Sequence, residues 1–335
     1  MKLRILTEKD VRKVVDVRKA IEIQKDAFKF LSKNSENLKL RSFVRSMAPP
    51  GIAIFNPSFL QDGDGYGVKV VSDFFDNDKH STTRMSSLMT LFDGKTGHPK
   101  AVMEGGYLTD LRTGAGTALA ARYLARAESK TLLVIGAGRV ARNQITGISS
   151  VCPIDRVLIV SRTRKRIDDL MNKLTTIDGW APTQLFIEKN INEGISKADI
   201  VVSATTAKTP TFSGSALKAG TFVAAVGANL PDTREVDSET ITKSSCNVID
   251  SRRDCMENAG DFLMPIDEGL LNPSSVIELS ELVSGRKKGR KTPQEITFYK
   301  SIGVPIQDLV TAQYIEAQAE KQKIGTVIDI GGEYF

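Results

Sequence analysis

Residues 131–148, TLLVIGAGRVARNQITGI, run from a short, continuous apolar stretch through a glycine-rich turn into helically spaced apolar positions. The first part predicts a strand buried on both faces and the last an amphipathic helix. Further strand-like runs follow at 156–160 (RVLIV), 198–205 (ADIVVSAT), 220–227 (GTFVAAVG) and 245–250 (SCNVID), with room between them for crossovers or loops. Such alternation predicts a doubly wound parallel sheet of the Rossmann type over residues 126–305.

The first 125 residues have another texture. Helical spacing runs from Val11 to Ser32, and strand-like pieces follow at 51–55, 65–74 and 87–93, with turn signals at Asp93-Gly94 and Thr96-Gly97. A long helix rich in small residues starts at Leu111 and leads into the sheet, and residues 306–321 return to helical spacing. The expectation is an α/β protein with two domains. Residues 1–125 with 306–335 form an α+β substrate-binding and dimerisation domain, and residues 126–305 form the dinucleotide-binding domain. The strand-rich stretch 50–92 has no obvious covering helices of its own, which points to a homodimer built through that domain.

Composition narrows the function classes. With 41% hydrophobic and 26% charged residues in 335, the chain has a globular composition, and no apolar run approaches the roughly 18 residues of a spanning helix. The N-terminal MKLRILTEKD lacks the apolar core of a secretion signal, so a cytoplasmic place is expected by default and no membrane partner. Cys152, Cys246 and Cys255 are far apart and read as reduced thiols, and with only His80 and His98 no histidine-rich metal site is expected. The net charge of +6 comes from 46 basic residues scattered among 40 acidic ones, so an anionic small molecule fits it and no nucleic acid is expected. The densest basic run, residues 286–291, reads as a solvated loop.

Gly136-Ala-Gly138-Arg-Val-Ala141 matches the GxGxxA fingerprint. The glycines let the backbone turn tightly and approach a pyrophosphate, whose charge meets the amides of a helix N-terminus. An NAD enzyme usually carries Asp or Glu at the end of the second strand; here that stretch reads Ser161-Arg-Thr-Arg-Lys-Arg166. No carboxylate is present to receive a ribose hydroxyl, whereas Arg162, Thr163 and a cation such as Arg166 suit a 2′-phosphate. NADP(H) is therefore the expected cofactor, with NAD(H) second.

Residues 93–125, DGKTGHPKAVMEGGYLTDLRTGAGTALAARYLA, together with the GAGRVA turn, resemble the ornithine cyclodeaminase/mu-crystallin family, which includes ketimine and pyrroline-2-carboxylate reductases and archaeal alanine dehydrogenases. The resemblance continues through 226–237 (VGANLPDTREVD) and 295–312 (EITFYKSIGVPIQDLVTA). It implies a dimer, a small amino or imino acid substrate and an active site in a cleft beside the Rossmann domain. Its substrate-binding residues fall on Arg41, with Arg45 as a competing candidate, and on Lys69 and Arg112. Its cofactor positions fall on Arg112, Gly136, Gly138, Arg139, Val140, Ser161, Thr205, Val226 and Ser301. Two departures matter. Cyclodeaminases carry a proton-relaying Asp where this chain has Asn229, and Arg84 stands where a small Thr or Ser is usual, as a candidate for a second carboxylate, for a cofactor phosphate or for solvent.

Without that Asp, hydride reduction is the expected chemistry. It would take a cyclic 2-imino acid of the pyrroline-2-carboxylate type, with Arg41 and Arg112 on the carboxylate and Lys69 as proton source. The alternatives are an ammonia-releasing cyclodeaminase with bound NAD, an alanine- or opine-type dehydrogenase, and a dinucleotide-binding protein without catalysis.

Overall fold

The computed structural model describes residues 1–33, 41–60, 65–77, 83–176 and 184–331. His80 lies outside these, and His98 is exposed in a turn. The chain divides into two compact units, Met1–Arg112 with Pro305–Phe335, and Thr113–Val304.

In the first unit seven strands make one sheet, in the order Thr326–Asp329, Lys2–Leu6, Pro99–Glu104, Met85–Phe92, Tyr66–Phe74, Pro50–Phe59, Ser42–Met47. All neighbours are antiparallel except Lys2–Leu6 with Pro99–Glu104. The register sets Asn56, Lys69, Met89 and Met103 in one row, on one face. That face is covered by the helix Pro305–Gln322, which comes from the far end of the chain and packs on three of the strands and on the helix Val17–Lys33. The stretch 50–92 thus takes its covering helix from residues 305–322, in the C-terminal part that the sequence assigned to the same domain. The opposite face keeps large apolar side chains in solvent: Ile5, Val44, Phe59 and Leu88 are 39% to 60% exposed.

The helical spacing from Val11 to Ser32 belongs to two helices, Glu8–Val14 and Val17–Lys33, and not to one. Two N-terminal caps explain the break. Thr7 and Asp10 form a reciprocal capping box, and Asp16 Oδ1 accepts from the Lys19 amide at 2.7 Å, opening a second helix where Val15 is extended.

Eight strands of the second unit are all parallel, in the order Ile277–Glu278, Ser244–Ile249, Ile296–Lys300, Phe222–Ala225, Ile200–Ser203, Thr131–Ile135, Arg156–Val160, Gln184–Ile187. Successive strands leave Thr131–Ile135 on one side, then the chain crosses to Ile200–Ser203 on the other. This reversal is the switch point of a Rossmann-type fold, where the doubly wound architecture binds its ligand. Thr131–Ile135, Ile200–Ser203 and Phe222–Ala225 are buried at every position, which is why they read as unbroken apolar runs.

Small residues in the helix Gly105–Leu124 have a packing reason within the second unit. A Cβ on Gly114 would lie 2.2 Å from the carbonyl oxygen of Asn143, and one on Gly147 2.8 Å from that of Gly114. The end of this helix and the helix Ala141–Ser149 therefore meet backbone to backbone. The basic run 286–291 is also more than a solvated loop. Arg290 donates to the carbonyls of Leu124 at 2.7 Å and Glu295 at 2.5 Å and to Thr297 Oγ1 at 3.1 Å, while Arg286, Lys287, Lys288 and Lys291 are exposed.

Gly114→Ala tests the close helix contact. Alanine favours a helix by about 1 kcal/mol over glycine, but a methyl against a fixed backbone oxygen outweighs this, and a net loss of about 1–3 kcal/mol is expected. Urea denaturation measures it; an unchanged or higher midpoint would show that the helices part freely.

Candidate active site

Alternation along Tyr66–Phe74 turns Lys69 onto the face covered by the helix Pro305–Gln322. Lys69 is 3% exposed, and its Nζ donates to Asp308 Oδ2 at 2.6 Å. Asp308 sits in the first turn of that helix, where proline at the first position suits the helix start. Its other oxygen accepts from Arg112 Nε at 2.9 Å, and Arg112 Nη1 donates to Gln307 Oε1 at 3.3 Å. On the adjacent strand, Asn56 donates to the Lys69 carbonyl at 3.4 Å.

Burial depresses the Lys69 ammonium most, Asp308 opposes that, and the charges of Arg112 and Arg41 depress it further, leaving a pKa of about 8. Burial pushes the Asp308 carboxyl up, but Arg112 and Lys69 overcome it and hold it below the usual range. Arg41 is half-buried and acts on Lys69; Arg45 is exposed. The cluster so holds Lys69 and Arg112 on one buried carboxylate, with the charge of Arg41 acting on Lys69. Two cations on one carboxylate suit a small anion as a further partner. Arg84 is engaged elsewhere, in a two-pronged ion pair with Asp73 at 2.7 and 3.1 Å.

In the second unit the remaining sequence-derived positions follow the C-terminal ends of parallel strands: Gly136, Gly138, Arg139 and Val140 after Thr131–Ile135, Ser161 after Arg156–Val160, Thr205 after Ile200–Ser203, Val226 and Asn229 after Phe222–Ala225, and Ser301 after Ile296–Lys300. Gly136 has φ +105°, and a Cβ there would stand 2.4 Å from the Ala204 carbonyl oxygen. Gly138 differs. A Cβ on it would meet nothing within 4 Å, so the protein's own packing does not require glycine, whereas a phosphate approaching the backbone does. The helix Ala141–Ser149 has no side-chain cap and no acid in its first turn, so its N-terminal amides suit an anion, and a dinucleotide pyrophosphate fits the turn.

The helix Arg164–Thr175 likewise has no side-chain cap and no first-turn acid. Arg162, Thr163 and Arg166 are exposed at its start, and Arg164 pairs with Asp168 at 2.9 Å. The Thr205 hydroxyl donates to Glu235 and the Ser301 hydroxyl to Asp250, each at 2.8 Å. Asn229 is exposed.

The profile of the ornithine cyclodeaminase/mu-crystallin family matches residues 1–323. The chain belongs to this family. It is 31% identical over 326 residues to a Delta(1)-pyrroline-2-carboxylate reductase of Bacillus cereus, covering 97% of this chain and 99% of the relative. Among solved structures it resembles the Delta(1)-pyrroline-2-carboxylate reductase of Thermococcus litoralis in complex with NADH and L-proline, at 33% identity and TM-score 0.88, covering 96% of this chain and 99% of that one. An archaeal alanine dehydrogenase dimer with bound NAD superposes with TM-score 0.89 at 26% identity, over 99% of this chain and all of that one.

Asp308 and Gln307 escaped the sequence reading, although both lie in a segment that carried the family resemblance. An acid in the first turn of a helix is commonplace, since it complements the helix dipole, and nothing local marks it as the partner of residues 196 and 239 positions away.

Asp308→Asn tests the electrostatics. The carboxylate raises the Lys69 pKa against burial and against Arg112. Its removal is expected to move the Lys69 titration from about 8 to lower pH. Nitrogen-15 NMR of the lysine side chain follows this directly, and a midpoint that stayed or rose would contradict the arrangement.

Proposed function

We propose that the protein is a homodimeric, NADPH-dependent reductase of small 2-imino acids, acting on a cyclic ketimine of the pyrroline-2-carboxylate type. The observation that carries this reading is the buried Lys69–Asp308–Arg112 cluster with Arg41 acting on it. The names of the relatives similar to it over nearly the whole chain support the same substrate class.

In this reading Arg112 and Arg41 hold the substrate carboxylate. Lys69, held on Asp308, shares its proton with the imine nitrogen. When bound, the reduced dinucleotide supplies a hydride to C2 of the substrate. As the carbon–nitrogen double bond takes up the hydride, its π electrons pass to nitrogen, and Lys69 delivers the proton that nitrogen accepts. A pKa of about 8 suits this task, because the ammonium is charged at neutral pH and gives up its proton readily. Asn229, where cyclodeaminases have Asp, cannot exchange a proton, which disfavours redox-neutral ring closure. The exposed cations at the start of Arg164–Thr175, with no acid in that turn, favour the 2′-phosphate of NADPH.

Spectrophotometry at 340 nm with Δ1-pyrroline-2-carboxylate tests the reaction. NADPH loss is expected, with kcat/KM at least tenfold above that with NADH, an order-of-magnitude preference for a matched phosphate site. Because Lys69 must be protonated, kcat is expected to be flat at lower pH and to fall as pH rises through about 8. Ammonia release from ornithine without net dinucleotide turnover would sink the reductase reading, and equal use of NADH would sink the cofactor reading.

The dimer rests on the uncovered face of the first unit's sheet, where Ile5, Val44, Phe59 and Leu88 are exposed. Sedimentation at micromolar concentration is expected to give a dimer. Val44→Glu with Leu88→Glu is expected to give monomers, and a monomeric parent would remove the proposal.

A further inference from the structure

One buried carboxylate of the second unit has no part in the chemistry above. Glu235 is fully buried. One of its oxygens accepts from Ser203 Oγ at 2.7 Å and from the amide and hydroxyl of Thr205, both at 2.8 Å. Its other oxygen accepts from the amides of Gly227 at 2.5 Å and Ala228 at 3.1 Å. These five donors come from the last residue of the strand Ile200–Ser203 and from the two loops, 204–207 and 226–229, that follow the strands Ile200–Ser203 and Phe222–Ala225.

The two loops and the dinucleotide turn leave no space between them. A Cβ on Gly227 would stand 2.0 Å from the Thr205 carbonyl oxygen, just as one on Gly136 would stand 2.4 Å from that of Ala204. A single carboxylate therefore sets the spacing of the backbone that lies next to the Gly136 turn. In the doubly wound fold the adenine half of a dinucleotide lies toward the second strand, here Arg156–Val160, so the nicotinamide half lies toward these loops.

Charge adds a second consequence. Lys300 Nζ, also fully buried, donates to the Ala228 carbonyl and pairs with Asp261, both at 2.6 Å, so that ion pair braces the same loop from behind. Asp261 in turn accepts from the amides of Glu235 and Val236 at 2.7 and 3.0 Å. Lys300 feels the charge of Glu235 as well as that of Asp261, so two carboxylates share one cation, and all five hydrogen-bond donors to Glu235 are neutral. Asp250, at the end of Ser244–Ile249, is held in the same way by Ser301 Oγ, Ile302 and Gly303 amides at 2.7–3.0 Å. In every one of these contacts the carboxylate oxygens accept.

We propose that Glu235 is a positioning residue of the dinucleotide site, and that its charge, reinforced by Asp250, makes the protein favour the oxidised nicotinamide relative to the reduced one. The reduced ring is neutral and the oxidised ring is a cation. An anion fixed beneath the loops therefore acts on one form only, and the positive charge that develops as hydride leaves meets it already in place. This rests on the dinucleotide reading above and adds to it which residue sets the balance between the two forms.

Dissociation constants for NADPH, by its fluorescence, and for NADP+, by competition, test it. Glu235→Gln is expected to raise the ratio of the NADP+ constant to the NADPH constant about five- to thirtyfold, the order of magnitude for removing one unit charge that acts on the cationic form only. Asp250→Asn should move the ratio the same way. The double variant Lys300→Met, Asp261→Asn keeps the net charge, and its ratio should stay within about twofold of the parent even if both affinities fall. Equal weakening of both forms by Glu235→Gln would reduce Glu235 to a structural brace and overturn the proposal. Should that variant fail to fold, an unchanged ratio in Asp250→Asn overturns it equally. A parent protein that binds neither nucleotide would overturn the functional reading itself, which is a different outcome from a parent that binds both and a ratio that does not move.

Discussion

Asp308 receives Lys69 at 2.6 Å and Arg112 at 2.9 Å in a place almost closed to water, and the first unit is arranged around that shared carboxylate. Charges buried without partners are costly, and removing one partner of such a set typically loses about 3–5 kcal/mol. The strand carrying Lys69, the helix carrying Arg112 and the helix carrying Asp308 are therefore held to one register.

The second unit solves a related problem with neutral donors. Its loops after Ile200–Ser203 and Phe222–Ala225 need their amides satisfied away from solvent, and Glu235 satisfies five donors at once. The two halves of the chain thus hold buried carboxylates in different ways: Asp308 by direct pairing with cations, Glu235 by neutral donors.

The parts of this arrangement that could be read from the sequence are those with a local signature. Continuous apolar runs ending in a glycine turn reveal buried parallel strands and a phosphate-accepting helix start, because both follow from neighbouring residues. The capping pairs Thr7/Asp10 and Asp16/Lys19 were equally local, but uninterrupted helical spacing from Val11 hid the break between them. The strand Ser42–Met47 went unread because five of its six residues are exposed, so it lacks the alternation of a half-buried strand. Arg290 looked like one cation in a basic run, and its carbonyl partners at Leu124 and Thr221 lie far away in the chain. Asp308 and Glu235 are the clearest cases. Each is an unremarked acid in its own segment, and each has its meaning only in contacts that the fold creates.

The first unit is made from both ends of the chain, with the second unit inserted between Arg112 and Pro305. During synthesis the whole of the inserted unit leaves the ribosome before Asp308 does. Lys69 and Arg112 are then already present, 239 and 196 residues ahead of the carboxylate that neutralises them. Closure of their sheet under its covering helix must await the final part of translation. The Lys69–Asp308–Arg112 cluster is consequently among the last parts of the molecule to form, and a nascent chain stalled short of that helix would hold a finished second unit and a first-unit sheet still lacking its covering helix.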